Sequence, residues 1–78
     1  MTVTVRLFAA AAEAAATEST ELDAATVGDL RAMLAERYGE DLERVLRQCA
    51  IVVGGRRVDD DHALDGQLVD VLPPFAGG

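Results

Sequence analysis

The sequence ends Leu72-Pro73-Pro74-Phe75-Ala76-Gly77-Gly78, and its last two residues have no Cβ. Paired glycines let backbone enter a channel too narrow for side chains. Pro73 and Pro74 stop a strand and hold the exit extended, because proline lacks the ladder donor and fixes its own φ. This composition describes a tail that leaves a folded body and offers the Gly78 carboxylate to a site on another protein, with Gly77 and Ala76 giving access. A free α-carboxyl has a pKa of about 3.3–3.7, so at neutral pH it is a carboxylate and a poor electrophile. Acyl chemistry at Gly78 therefore requires activation by a partner.

Other residue types point to less. Asp59, Asp60, Asp61 and Asp65 precede Gly66 as in a calcium loop, but the bidentate Glu required at the twelfth position is missing, which leaves a solvated acidic turn. His62 has no nearby Cys or second His, so no metal is expected. Cys49 is the single cysteine and opens an apolar run; it has no partner for a disulfide, a CxxC pair or a zinc site, and is expected as a small buried hydrophobe. Gly54-Gly55 lacks the Lys-Ser/Thr ending of a phosphate loop and is expected as a turn. All seven basic residues are arginine. Without lysine the chain has no phosphate-loop lysine, no Schiff-base nucleophile and no side-chain amine to accept an acyl group.

Seventy-eight residues, 50% hydrophobic and 27% charged, describe one small domain. A chain of this size buries only about 60% of its unfolded surface, too little to build an enclosed active site. An enzyme with its own enclosed active site is therefore not expected. Fourteen acidic residues give a net charge of −7, which repels phosphate and argues against nucleic acid as a partner. A basic protein surface fits the sign better. No run approaches the ~20 apolar residues of a membrane span and the N-terminus lacks a signal-peptide layout, so a cytoplasmic location is expected.

The elements that must carry the tail are legible from periodicity. Val3, Val5 and Leu7 alternate with Thr4, Arg6 and Phe8, a first strand over Thr2–Phe8 with one buried face. Ala9–Ala16 is a short alanine helix, and Glu18–Asp23 is a second strand that pairs back on the first. Thr26-Val27-Gly28-Asp29 has capping-box form and opens the main helix, Val27–Tyr38, with an apolar stripe of Leu30, Met33, Leu34 and Tyr38. Asp41–Arg47 adds an amphipathic turn with Leu42, Val45 and Leu46 inward. Cys49–Val53 is a third strand and Arg56–Val58 its hairpin return; Asp59–Gln67 is a polar loop and Leu68–Leu72 the last strand. This order predicts an α+β fold of β-grasp (ubiquitin-like) type: a mixed sheet, first and last strands adjacent at its centre, and the main helix across one face. The domain spans 1–72 and the extended tail 73–78. A ferredoxin-like sandwich is the alternative, but it needs a second long helix.

The sequence resembles the small ubiquitin-like sulfur carriers of the MoaD/ThiS type, most closely the small subunit of molybdopterin synthase. The resemblance covers the whole chain and rests on Leu7-Phe8-Ala9 with Glu13, on Thr26-Val27-Gly28-Asp29-Leu30, on Asp65-Gly66, and on Val71 through Gly78. It implies that an adenylating enzyme of the MoeB/ThiF type, related to ubiquitin-activating enzymes, uses ATP to activate Gly78. It further implies that a sulfur donor such as a cysteine desulfurase or rhodanese converts the adenylate to a thiocarboxylate. The large molybdopterin synthase subunit, or another sulfur-acceptor enzyme, then receives the sulfur. No cofactor is held by the carrier itself. Thiamine, cysteine, thio-tRNA and secondary-metabolite pathways use similar carriers, and a ubiquitin-like protein modifier would be activated in the same way. Alternation sends Phe8 and Leu72 to the sheet face opposite the helix, beside Pro73, Pro74 and Phe75. In the resembled family this face meets the activating enzyme and the large subunit.

Overall fold

The computed structural model describes residues 2–73. In chain order the elements are β1 (Val3–Leu7), α1 (Ala10–Ala15), β2 (Ser19–Leu22), α2 (Val27–Tyr38), α3 (Glu40–Leu46), β3 (Ala50–Val53), β4 (Arg56–Arg57) and β5 (Leu68–Leu72). The strands form one sheet in the order β2-β1-β5-β3-β4. β1 and β5 run parallel, and the other three neighbouring pairs are antiparallel. Parallel neighbours cannot be joined by a hairpin, so the rest of the domain forms the connection between β1 and β5. This is the β-grasp arrangement expected from the sequence. The sandwich alternative fails because among the described residues only α2 exceeds two turns; α1 has 6 residues and α3 has 7.

One core holds the layers together. Val3, Val5 and Leu7 of β1, Leu22 of β2, Ile51 and Val53 of β3, and Val69 and Val71 of β5 line the inner face of the sheet. Against them pack Val27, Leu30 and Leu34 of α2, Leu42 and Leu46 of α3, and Ala11 and Ala15 of α1. Each such Val or Leu contributes about 1.5–3 kcal/mol by leaving water. Met33, Tyr38 and Val45, expected on the apolar stripes, are only partly buried and close the core from its flanks.

The start of α2 shows how a polar loop becomes structural. Thr26 Oγ1 accepts from the Asp29 N–H at 3.1 Å, the forward half of the capping box. The next orphan donors are met from elsewhere in the chain: Val27 N–H donates to the His62 carbonyl at 3.0 Å and Gly28 N–H to the Asp60 carbonyl at 2.9 Å. Leu64 N–H donates to the Ala25 carbonyl at 2.8 Å, and Thr26 bridges to Ala63. Residues 59–64, expected as loop, are therefore pinned along the N-terminus of α2. Arg31 tightens the same junction by donating Nε to Asp60 at 2.8 Å and Nη1 to the Leu46 carbonyl.

α1 is shorter than the alanine run by one residue at each end, for a backbone reason. Ala9 and Ala16 both have positive φ, 53° and 57°. Ala16 closes the helix in the left-handed region, its N–H donating to the Glu13 carbonyl and that of Thr17 to the Ala12 carbonyl, both at 3.2 Å. An L-residue pays roughly 1–2 kcal/mol there. Burial of Ala11 and Ala15 against the core holds α1 in place.

Candidate functional site

The position of β5 decides where the tail begins. β5 is the middle strand of five, with Val71 opposite both Leu7 of β1 and Ile51 of β3, and Leu72 opposite Ala50. Pro73 follows, half-buried. The remaining residues expected at the site, Pro74, Phe75, Ala76, Gly77 and Gly78, lie outside the described residues. All three helices sit on the inner face, so the sheet presents its opposite face to solvent along the last residues before the exit.

That face carries Thr4 and Arg6 of β1, Leu68, Asp70 and Leu72 of β5, and Ala50 and Val52 of β3, the members of each alternation that the core does not take. Phe8 follows β1 at the same end as Leu72. The structure thus brings Phe8 and Leu72 to one end of the outer face. Phe8 is 39% exposed and does not fold back into the core. Leu72 is half-buried rather than fully exposed. Leu68, 44% exposed, is a further apolar member not singled out from the sequence. Its signal was available, since it shares parity with Asp70 and Leu72.

A charged pair crosses this apolar surface. Arg6 stands opposite Asp70 and donates Nε and Nη2 to the two carboxylate oxygens at 2.7 and 2.9 Å. The same guanidinium lies 5.8 Å from the centroid of the Phe8 ring. Hydrogen bonding to Asp70, and then its charge, hold the Arg6 pKa above its already high ordinary value. The pair is solvent-screened and adds little stability. What it supplies is orientation: Asp70 aims Arg6, and Arg6 offers a cation to the face of Phe8.

Cys49 and the acidic residues lie elsewhere. Cys49 is 6% exposed and lines an open cleft of about 470 Å³ with Arg31, Ile51, Arg57, Asp59 and Asp60 among others. Burial pushes its thiol pKa up, against the pull of the nearby Arg31 guanidinium. The Cys49 side chain belongs to the hydrophobic core cluster. His62 is exposed and lends its carbonyl, not its ring, to α2. Among the described residues no group of three His, Cys, Asp or Glu side chains could hold a metal ion. No helix of the described residues is long and apolar enough to cross a membrane.

A mixed five-stranded sheet with parallel β1 and β5 at its middle, helices on one face and an apolar outer face beside the exit of the last strand defines a ubiquitin-like β-grasp domain. The chain belongs to the ThiS family, whose profile matches residues 5–78. Among solved structures it is similar to small archaeal modifier protein 1 from Haloferax volcanii, with 27% identity over 100% of both chains and a TM-score of 0.83. It is also similar to the corresponding modifier from Methanosarcina acetivorans, at 25% identity, 99% of this chain, 96% of that one and a TM-score of 0.85. A chain in the complex of subunits 1 and 2 of molybdopterin-converting factor from Helicobacter pylori matches at 34% identity over 100% of both chains, with a TM-score of 0.72. Among curated protein sequences none matches this chain.

Proposed function

We propose that this chain is a sulfur carrier whose Gly78 carboxyl is activated and converted to a thiocarboxylate, and that it serves as the small subunit of a molybdopterin synthase. The observation that carries this reading is the family match extending through Gly77 and Gly78, on a tail that begins at the central strand. The similarity to a chain in a two-subunit molybdopterin-converting complex supports the choice of pathway and a large-subunit partner.

The chemistry follows from the weakness of the carboxylate as an electrophile. Its oxygen attacks the α-phosphate of ATP on an adenylating enzyme of the MoeB/ThiF type, pyrophosphate leaves, and an acyl adenylate forms. The terminal sulfur of a persulfide donor then attacks the acyl carbon and AMP leaves. A thiol releases the acyl sulfur as thiocarboxylate and takes the donor sulfur into a disulfide. The thiocarboxylate is ionised at neutral pH and delivers sulfur to an acceptor held by the large subunit. In this scheme the carrier contributes no catalytic side chain: Gly78 supplies the reacting carboxyl, Gly77 and Ala76 the narrow backbone that reaches the site, and Phe8, Leu72, Pro73, Pro74 and Phe75 the docking contacts.

The likeness to small archaeal modifier protein 1 favours one second reading, a protein modifier whose activated Gly78 ends as an amide on a target lysine. Intact-mass measurement after incubation with the activating enzyme, ATP and a persulfide donor separates the two. A sulfur-for-oxygen gain at Gly78 is the expected result, absent when Gly78 is deleted or Gly77→Val blocks access. Glycyl adducts on target lysines without thiocarboxylate would establish the modifier instead. All core side chains of the described residues lie at or before Val71, so both tail variants should melt as wild type does.

A further inference from the structure

The two edges of the sheet are β2 and β4, and they are finished differently. β4 has 2 residues, Arg56 and Arg57, both exposed, and an edge so short and so charged offers little to pair with. β2 has 4 residues, Ser19–Leu22, and no such brevity protects it. Its ladder to β1 shows which backbone groups are left over. Leu7 N–H donates to the Glu18 carbonyl at 2.8 Å, which fixes the alternation along the pair. Glu18, Thr20 and Leu22 therefore turn their N–H and C=O groups toward β1, and Ser19 and Glu21 turn theirs outward.

Side chains occupy most of that outward row. Thr17 Oγ1 donates to the Ser19 carbonyl at 3.0 Å and accepts from the Ser19 N–H at 3.5 Å. Arg37, in the last turn of α2, reaches across to the strand, where its Nη1 donates to Thr20 Oγ1 and to the Glu21 carbonyl, both at 3.1 Å. Of the outward groups of Ser19 and Glu21, only the Glu21 N–H has no partner among the described residues. An incoming strand needs these donors and acceptors in register, and it meets them already taken.

Beneath these caps the edge is self-complementary. A two-fold axis between the Thr20 residues of two copies would set Ser19 of each opposite Glu21 of the other, each facing pair exchanging both of its hydrogen bonds. The two sheets would become one, with a second domain one strand away from β1. We propose that the free edge of β2 is a self-association surface for a second copy of this chain, and that Arg37 and Thr17 latch it shut and keep the chain monomeric. Glu18 and Glu21 would also meet like charges across that axis, but salt removes this repulsion and leaves the hydrogen-bonded latch in place. The latch is independent of the chemistry at Gly78.

Sedimentation equilibrium of the full chain in about 1 M salt, where the screening length is ~3 Å, tests the latch without the charge. Wild type is expected to be monomeric. Arg37→Ala uncovers the Glu21 carbonyl in both copies, so its self-association should be at least about tenfold tighter than that of wild type. Hydrogen exchange at the Glu21 N–H should slow as the concentration of this variant rises, a change that a merely loosened α2 does not produce. Adding Glu21→Pro removes the outward donor without touching the ladder to β1, and should return the Arg37→Ala chain to monomer. Thr20→Val takes away one acceptor of Arg37 and keeps a β-branched strand residue. It should shift association in the same direction, and it decides the question if Arg37→Ala does not fold. A dimeric wild type, folded open variants that stay monomeric, or a dimer that survives Glu21→Pro overturns the latch.

Discussion

Val71 and Leu72 are consecutive on the central strand, and the two sides of the sheet give them different tasks. Val71 is fully buried against the helices, whereas Leu72 points to the outer face and is half-buried. Val71→Asp forfeits about 2 kcal/mol of burial and leaves a carboxylate without a partner in the core, a further several kcal/mol. A domain of this length has about 4–12 kcal/mol in total at ~0.05–0.15 kcal/mol per residue, so this variant should be largely unfolded. Leu72→Asp loses only part of one side chain's burial, about 1 kcal/mol, and its carboxylate stays in water. With a urea dependence of ~1 kcal/mol/M, its midpoint should fall by about 1 M and no more. Far-ultraviolet circular dichroism in urea reads both values. Calorimetry against the activating enzyme then reads docking, where Leu72→Asp should cost at least about tenfold in affinity, or ~1.4 kcal/mol. If the two variants are destabilised equally, the faces of β5 have been assigned wrongly. If Leu72→Asp folds and binds as wild type does, the outer face is not the docking surface.

Three further outcomes follow from the same geometry. Ala16→Gly removes the left-handed penalty at the end of α1 and should raise stability by about 0.5–1 kcal/mol in the same urea titration, since glycine adopts that φ freely; a loss would mean that Ala16 does not hold φ 57° in solution. Burial raises the Cys49 thiol pKa, so the folded chain keeps this proton to higher pH than the unfolded one. The resulting contribution is complete below the unfolded value of about 8.5 and declines as pH rises above it, and Cys49→Ala should flatten that decline in melts taken across the range. The exposed acids Glu40, Asp41 and Glu43 on α3 and Asp59, Asp60 and Asp61 should steer the chain to basic partner surfaces, so stopped-flow association with the activating enzyme should slow as salt rises; a flat on-rate would leave the apolar face as the recognition element.

Local pattern carried much of this structure. The period of two in β1 and β5, the apolar spacing of α2 and the Gly-Gly turn before β4 each depend on neighbours a few residues apart, and the observed bounds of α2 and β5 match the expected ones residue for residue. Parity alone also sent Phe8 and Leu72 away from the core. Where local pattern failed, long-range contacts or backbone strain were responsible. Nothing in an alanine run announces that Ala9 and Ala16 take positive φ, because the residue type argues against it and only the surrounding fold imposes it. The acidic stretch after β4 has the composition of free loop, yet it supplies the carbonyls that cap α2.

The sequence by itself determined the kind of each element, the side of each strand that is buried, the acidic surface without lysine and the Gly-Gly tail, because these depend on residue type and on spacing along the chain. Tertiary structure decided which strands are neighbours. It alone brought Arg6 to Asp70 across 64 positions, placed Phe8 beneath that guanidinium and left Leu68 in solvent. Such pairings come from the register of strands distant in sequence, which the packing of the whole core selects and no local window contains.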